Sequence, residues 1–519
     1  MRIFPYAAAL AAFFHLALGA PASAQDVTLT SRDGAVQITG TLTSFDGEFY
    51  RVDTVYGPLV LDGQGVICTG PGCPDMEAYI ARFRLSGAPA LGQVLMPALI
   101  EAYAAQRGLS VSRNDAGPGA QTFVLAEREA GNTVAEIGLA VSSTDEGFAD
   151  LVAEEADIVM AAREIRAEEI RRGQEADLGD LSDPARRYVV ALDAIVPVVA
   201  PGQPVKEMAI ADLIAILKGQ IVDWGPLGGP DAPISLHLLG RGNGLQQAVV
   251  GRLLRGAVPL AEALRHDSPS EMAQAVVRDP LGLGVTRFSA LGGAEQLPLV
   301  GGCGMRLIAD RRTIKTEDYP FVAPLFLYTP ARRLPLFARE FIDYMASPGA
   351  QLVIRRAGFV DQLRERIPMA QQGERLAQAI AQAGPEVPLE ELQRLVAVLS
   401  GASRLTSTFR FRTGGSTELD AQSYGNIGAL ARALEAGLFD GREVIFVGFS
   451  DGAGPAEVNK RIAQRRAEAV RDAVRVAATA ADHTRITLRV EAFGEALPMA
   501  CDQSDWGGLI NRRVEVWLR

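Results

Sequence analysis

The chain has 519 residues, of which 22% are charged and 48% hydrophobic, and a formal net charge of −11 at pH 7. This length suggests about three domains at roughly 150 residues each, and the composition is globular rather than disordered. The negative balance argues against nucleic acid as the main partner, because no global basic field exists to neutralise phosphates. The N-terminus, MRIFPYAAALAAFFHLALGAPASAQD, sets one arginine before an apolar run that ends at Ala22-Ser23-Ala24. That is the pattern of a secretory signal peptide over residues 1–24. The run is short for a membrane anchor, and no later run reaches about 18 apolar residues, so no transmembrane span is expected after signal removal. No cysteine follows the cleavage site, so a lipoprotein is not expected.

Residues 25–75 predict a small β-rich domain. Apolar and polar residues alternate over 27–67 and are interrupted by Asp-Gly turns, which reads as short hairpin strands closing into a small β-barrel. Cys68 and Cys73 bracket the turn-forming TGPG, and an exported protein can oxidise them, so they are expected to pair. Cys303 and Cys501 are far apart in sequence, and both pairing and free thiols stay open. Residues 78–365 alternate helical and strand patterns in α/β fashion. Residues 366–400 are helix formers broken by AGPEVP and read as a helical linker. Residues 401–519 alternate again, with strands at STFRFRT, EVIFVGF, ITLRVEAFG and RRVEVWL and a helix at YGNIGALARALEAG.

A second helix follows EVIFVGF. Advancing about 100° per residue from Val458 gathers Ile462, Ala463, Ala469, Val470, Ala473, Val474 and Ala477 on one arc. Lys460, Arg461, Arg465, Glu468, Arg471 and Arg475 fall off the arc or on its edge. Asn459 and Arg466 point into its middle. A buried guanidinium needs an anionic partner, from the protein or from a ligand.

No catalytic constellation is present. His237, His266 and His483 lack metal-ligand spacing, and there is no G-x-S-x-G, nucleotide-binding loop or Cys/His pair suited to catalysis. The expectation is a binding protein, not an enzyme, without metal or cofactor.

FRFRTGGSTELD, GFSDGAGPAEVNKRIAQRRAEAV, FGEALP and NRRVEVWL resemble, in order and spacing, the OmpA-like C-terminal domain. The resemblance implies non-covalent binding of peptidoglycan through the diaminopimelate of its stem peptide. It places Asp451 and Arg466 on the ligand, with Asn459 at the family's Asn and Ser450 where Thr is usual. Arg466 would meet a carboxylate and Asp451 an ammonium. Pairing of Asp451 with Arg466, and capping by Asn459, are the structural alternatives. Arg512 and Arg513 either line the site or flank an edge strand.

The middle region resembles the phosphate-binding solute receptors of ABC importers, a two-lobed type II periplasmic binding fold. The pieces are ADIVMAAREIRAEE, KGQIVDWGPLGGPDAPISLHLLGRGNG, DPLGLGVTRFS, IKTEDYPFVAPLFLY and FIDYMASPGAQLVIRRAGFV. The resemblance matches Asp157 to the family's Asp and Arg241 to its Arg, with Ser86 near the first loop. It also places Ala88, Pro89, Ala90, Ala161, Ala162, Asn243 and Leu245 at hydroxyl positions, so tight phosphate binding is not expected. A salt bridge between Asp157 and Arg241 is the alternative to a binding role. The whole reads as multidomain α/β and α+β: a β-barrel, a two-lobed binding fold and an OmpA-like sandwich. The expected protein is periplasmic, near the outer membrane of a Gram-negative bacterium, with peptidoglycan as its partner and a small anion as a candidate second ligand. A substrate-binding component of an oxyanion importer is the alternative.

Overall fold

The computed structural model describes residues 26–75, 79–259, 262–384, 386–412, 417–502 and 504–519. The expected signal peptide lies outside them. Two compact units divide at residues 79 and 80.

The first unit is a sheet of five antiparallel strands: β1 (Asp26–Ser31), β2 (Gln37–Phe45), β3 (Phe49–Thr54), β4 (Gly57–Asp62) and β5 (Val66–Thr69). Their order is β4-β3-β2-β1-β5, so β4 and β5 are free edges and the sheet is open rather than the expected closed barrel. Its core is small, built on Val27, Leu29, Leu42, Tyr50 and Val52, and β4 turns mostly exposed side chains outward. Too few inward apolar groups exist to fill a barrel interior. Cys68 and Cys73 are disulfide-bonded.

The second unit opens with the two-lobed fold. One lobe holds β6 (Ala81–Gly87), β7 (Leu109–Gly117), β8 (Ala120–Glu127), β9 (Thr133–Val141) and β10 (Ile158–Ala161). A long strand, β11 (Arg187–Val199), leaves it for the other lobe, which holds β12 (Ser235–Leu239), β13 (Leu264–His266) and β14 (Gly282–Arg287). Strand β15 (Val322–Tyr328) returns antiparallel to β11. The two crossing strands join both lobes in one sheet path, β13-β12-β14-β11-β15-β10-β6-β9-β8-β7. Helices α1 (Met96–Gln106), α2 (Gly244–Arg252) and α3 (Pro269–Arg278) flank it. Strands β11 and β14 are buried almost throughout, and β11 accordingly reads as a near-continuous apolar run.

The C-terminal sheet runs β16-β17-β20-β18-β19, from β16 (Arg366–Pro368), β17 (Ser403–Arg410), β18 (Glu443–Phe449), β19 (Thr487–Ala492) and β20 (Arg513–Leu518). The two-residue period of β18 splits its side chains. Val444 and Phe446 join one core with Leu430, Leu434, Ala467 and Val470, from helices α6 (Ala421–Glu435) and α7 (Ala456–Ala477). Ile445, Val447 and Phe449 join another with Ala379, Leu392, Leu395 and Leu399, from helices α4 (Gly373–Gln382) and α5 (Leu389–Leu399). The segment 366–400 thus supplies an edge strand and one helical layer of the C-terminal sheet.

The middle and C-terminal parts are fastened together. Cys303 and Cys501 form a disulfide across 198 residues of sequence. Trp506 packs on the core of the second lobe, and Ala421 enters a core cluster of the first. Arg412 pairs with Glu164 at 3.2 Å.

Candidate functional site

Helix α7 follows β18 through the loop 450–455. Its buried residues are Asn459, Ala463, Arg466, Ala467, Val470 and Val474. Asn459 and Arg466 therefore lie inside the packed stripe, as the periodicity predicts. Val458, the starting point of that reading, is 38% exposed, because the stripe facing the sheet centres on Ala463 and Ala467.

Ser450 follows β18, its N–H donating to Gly494 O at 2.8 Å. Its hydroxyl is buried without a hydrogen-bond partner. The Asp451 carboxylate accepts from Arg512, not from Arg466. Arg466 is 2% exposed, its Cζ lies 5.0 Å from the centroid of the Phe411 ring, and its Nε has no partner. Burial lowers its pKa, Arg512 nearby lowers it further, and Asp451 opposes both. Asn459 Nδ2 donates to Glu495 Oε2 at 2.9 Å and to Gly454 O at 3.3 Å. Burial raises the Glu495 pKa against the Asn459 hydrogen bond, and Glu386, Asp502 and Asp451 add to the rise. Asp502 in turn accepts the Gly452 N–H at 2.9 Å.

The loop 450–455, helix α7 and the stretch bearing Glu495, Asp502 and Arg512 thus bring two guanidiniums, Arg466 and Arg512, beside three carboxylates, Asp451, Glu495 and Asp502. Such an arrangement suits a zwitterion, with carboxylate and ammonium each facing an opposite charge. Sequence reasoning assigned no role to Glu495 and left Arg512 open. Both lie in quoted motifs, FGEALP and NRRVEVWL, which were the available signal. Arg513 is elsewhere: its fully buried guanidinium donates to Glu515 at 2.7 Å and to Leu497 O at 2.8 Å.

Between the two lobes lies a cavity of about 180 Å³. Ala88, Pro89 and Ala90 line it, with Ala162 and the starts of α2 (Asn243, Gly244) and α3 (Ser268 to Ser270). Asp157 and Arg241 do not. Asp157 precedes β10, at the opposite end from Ala162, accepts the Arg84 N–H at 2.7 Å and lies 2.6 Å from Arg332 Nη2. Arg241 stands exposed in the turn before α2. The structure does not bring these two together. Ser86 is buried, donating to Asp150. The charged group lining the cavity is instead Arg287, 5% exposed, with Nη1 lacking a hydrogen bond. Its ion-pair partner is the fully buried Asp193 at 3.8 Å. Burial lowers the Arg287 pKa and raises that of Asp193, each opposed by the other charge. The triplet TRF within a quoted motif contained Arg287, but nothing in its spacing marked it. Elsewhere, His237 and His266 meet at 3.0 Å, and His237 contacts Asp279 at 3.1 Å.

Residues 115–348 match the PBP superfamily domain, and residues 410–507 match the OmpA family. The phosphate-binding protein PstS of Bacillus subtilis is 29% identical over 164 residues, 32% of this chain and 53% of that protein. PstS of Borreliella burgdorferi is 24% identical over 215 residues, 39% of this chain and 71% of that protein. The chain spans about half the length of the first of these relatives. Among solved structures, an ABC-type phosphate transport receptor from Vibrio cholerae covers 54% of this chain and 99% of itself, at 19% identity and a TM-score of 0.41. The peptidoglycan-associated lipoprotein from Burkholderia pseudomallei covers 22% of this chain and 90% of itself, at 22% identity and a TM-score of 0.19. The chain joins a PBP superfamily domain to a C-terminal OmpA-family domain.

Proposed function

We propose that this is an exported periplasmic envelope protein that holds peptidoglycan non-covalently through its OmpA-family domain. The two-lobed domain serves sensing or scaffolding. One observation carries the reading: a buried Arg466, with an unpartnered Nε, sits beside the Asp451–Arg512 pair. A ligand carboxylate would satisfy Arg466, and a ligand ammonium would replace Arg512 on Asp451. Diaminopimelate offers both groups close together. Delivery of an oxyanion to an importer is the competing reading, and the neutralised Arg287–Asp193 pair in the interlobe cavity disfavours it.

The test is co-sedimentation of the mature chain, residues 25–519, with purified diaminopimelate-type peptidoglycan. Wild type pellets with the wall. Asp451→Ala and Arg466→Ala each lose pelleting, at a cost of about 2–5 kcal/mol for an uncompensated charge facing the ligand. Arg465→Ala, one residue away on the exposed face, pellets like wild type. Retained pelleting of both site variants would sink the assignment.

A further inference from the structure

A second cleft, of 780 Å³, opens where α6 of the C-terminal domain lies against β11 and the segment leading into β16. Its floor is apolar, with buried Val190, Met345 and Leu405. Its walls carry four guanidiniums, Arg187, Arg364, Arg366 and Arg432. Arg187 is 8% exposed and lies over the Tyr424 ring, its Cζ 5.7 Å from the centroid. Among the described residues no carboxylate pairs with Arg187, Arg366 or Arg432, and Arg364 donates to the Ala429 carbonyl. Burial lowers the Arg364 pKa, and the neighbouring Arg432 lowers it further. Asp343, exposed, is the acidic residue among the lining groups.

The helix facing this cleft is shaped to leave room. Tyr424, Gly428 and Arg432 fall one turn apart on α6. Glycine is unfavourable inside a helix. At Gly428 an added Cβ would meet only Arg432 Nη1, at 3.5 Å, so the space above it belongs to the cleft. A chain of net charge −11 that gathers four guanidiniums around one hollow attracts anions locally there, against its overall field.

We propose that this cleft binds an acidic peptide carrying apolar side chains. Guanidinium forks match carboxylates in a bidentate manner. The apolar floor gives an inorganic anion nothing, whereas it buries a Leu or Val side chain between the charges. The concave seat between two domains does not admit a membrane surface. The site is separate from Asp451 and Arg466 and does not depend on peptidoglycan binding.

The probe is a fluorescein-labelled octapeptide of alternating Glu and Leu, titrated with the mature chain and followed by anisotropy. Saturable binding is expected, and the Gln/Leu version binds at least about tenfold more weakly. Arg366→Ala and Arg432→Ala, both at exposed residues, each weaken binding about tenfold or more. Gly428→Leu keeps every charge but fills the hollow, and it weakens binding as much. Thermal melts confirm that each variant is folded, and Asp451→Ala binds the peptide like wild type. No binding of the Glu/Leu peptide overturns the proposal, as does equal binding of the Gln/Leu peptide. Unchanged binding by Arg432→Ala and Gly428→Leu, or competition by phosphatidylglycerol vesicles but not by unlabelled peptide, overturns it as well.

Discussion

Arg404 and Asp318 meet fork to fork across 86 residues of sequence, with Nη1 and Nη2 at 2.6 and 3.0 Å from the two carboxylate oxygens. Arg404 stands on β17 of the C-terminal sheet, and Asp318 precedes β15, one of the strands that crosses between the lobes. Arg410, also on β17, reaches the same carboxylate at 3.2 Å. Arg404 further approaches Glu515 at 3.5 Å, so buried charges of both signs interlock where the two domains join.

Removing one member of such a set leaves the others uncompensated. Asp318→Ala is expected to destabilise the protein by about 3–5 kcal/mol in urea denaturation, because two buried guanidiniums lose their carboxylate. Arg332→Ala, which removes a 39% exposed partner of Asp157, is expected to cost below about 1 kcal/mol. Equal effects of the two would show that the buried pair does not hold the domains together.

Acid should attack the same place. Burial pushes the Asp318 pKa up, but Arg404, followed by Arg375 and Arg410, more than offsets this and leaves it at about 2. The unfolded chain titrates near the ordinary carboxylate value of about 3.9. The pair's stabilisation is therefore complete above about pH 4 and is lost as pH falls through 2, on the order of 2–3 kcal/mol. Denaturation midpoints measured from pH 5 to pH 2 should fall in that window for wild type. Asp318→Asn should fall less steeply there, and identical slopes would refute the assignment.

The proposed peptidoglycan site can be blocked without touching a charge. A Cβ on Gly508 would lie 3.0 Å from Arg512 Nη1 and 3.3 Å from Asp451 Oδ2. Gly508→Val presses a branched side chain on that pair, and wall pelleting should fall by about tenfold or more. Unchanged pelleting by a folded Gly508→Val protein would place the ligand elsewhere.

The interlobe cavity is predicted to hold phosphate no tighter than about millimolar by calorimetry. Ala88, Pro89, Ala90 and Ala162 turn apolar groups toward it, and Asp193 already neutralises Arg287. Ser268 and Ser270 remain as hydroxyls that sequence reasoning did not count, whereas the Ser289 hydroxyl already donates to Asp193 at 2.6 Å. A micromolar isotherm abolished by Arg287→Ala would overturn this and favour the importer reading.

Local patterns were legible and distant meetings were not. The period of α7 marked Asn459 and Arg466 as buried, since both facts live within seven residues. The turn between Cys68 and Cys73 announced their bond for the same reason. Arg512 reaches Asp451 across 61 residues, and Cys303 reaches Cys501 across 198, distances over which spacing carries no signal. Asp157 shows the opposite failure. A motif match put it at a ligand position, but its carboxylate sits just before β10 while the cavity lies beyond the strand's other end. Arg287 lay inside a matched motif without a role assigned to it, so only the folded chain shows that it lines the cavity.

The bond between Cys303 and Cys501 has a mechanical meaning. Asp502, next to Cys501, holds the backbone of the loop that carries Asp451. If the wall is gripped at Asp451 and Arg466, tension on the wall enters the segment 494–512 first. It then passes through a covalent link into the second lobe, while the first is held without a covalent bond, by the packing of Ala421 and the exposed Arg412–Glu164 ion pair. The two lobes are thus loaded unequally: one is pulled through sulfur, the other through apolar packing and an ion pair that salt weakens.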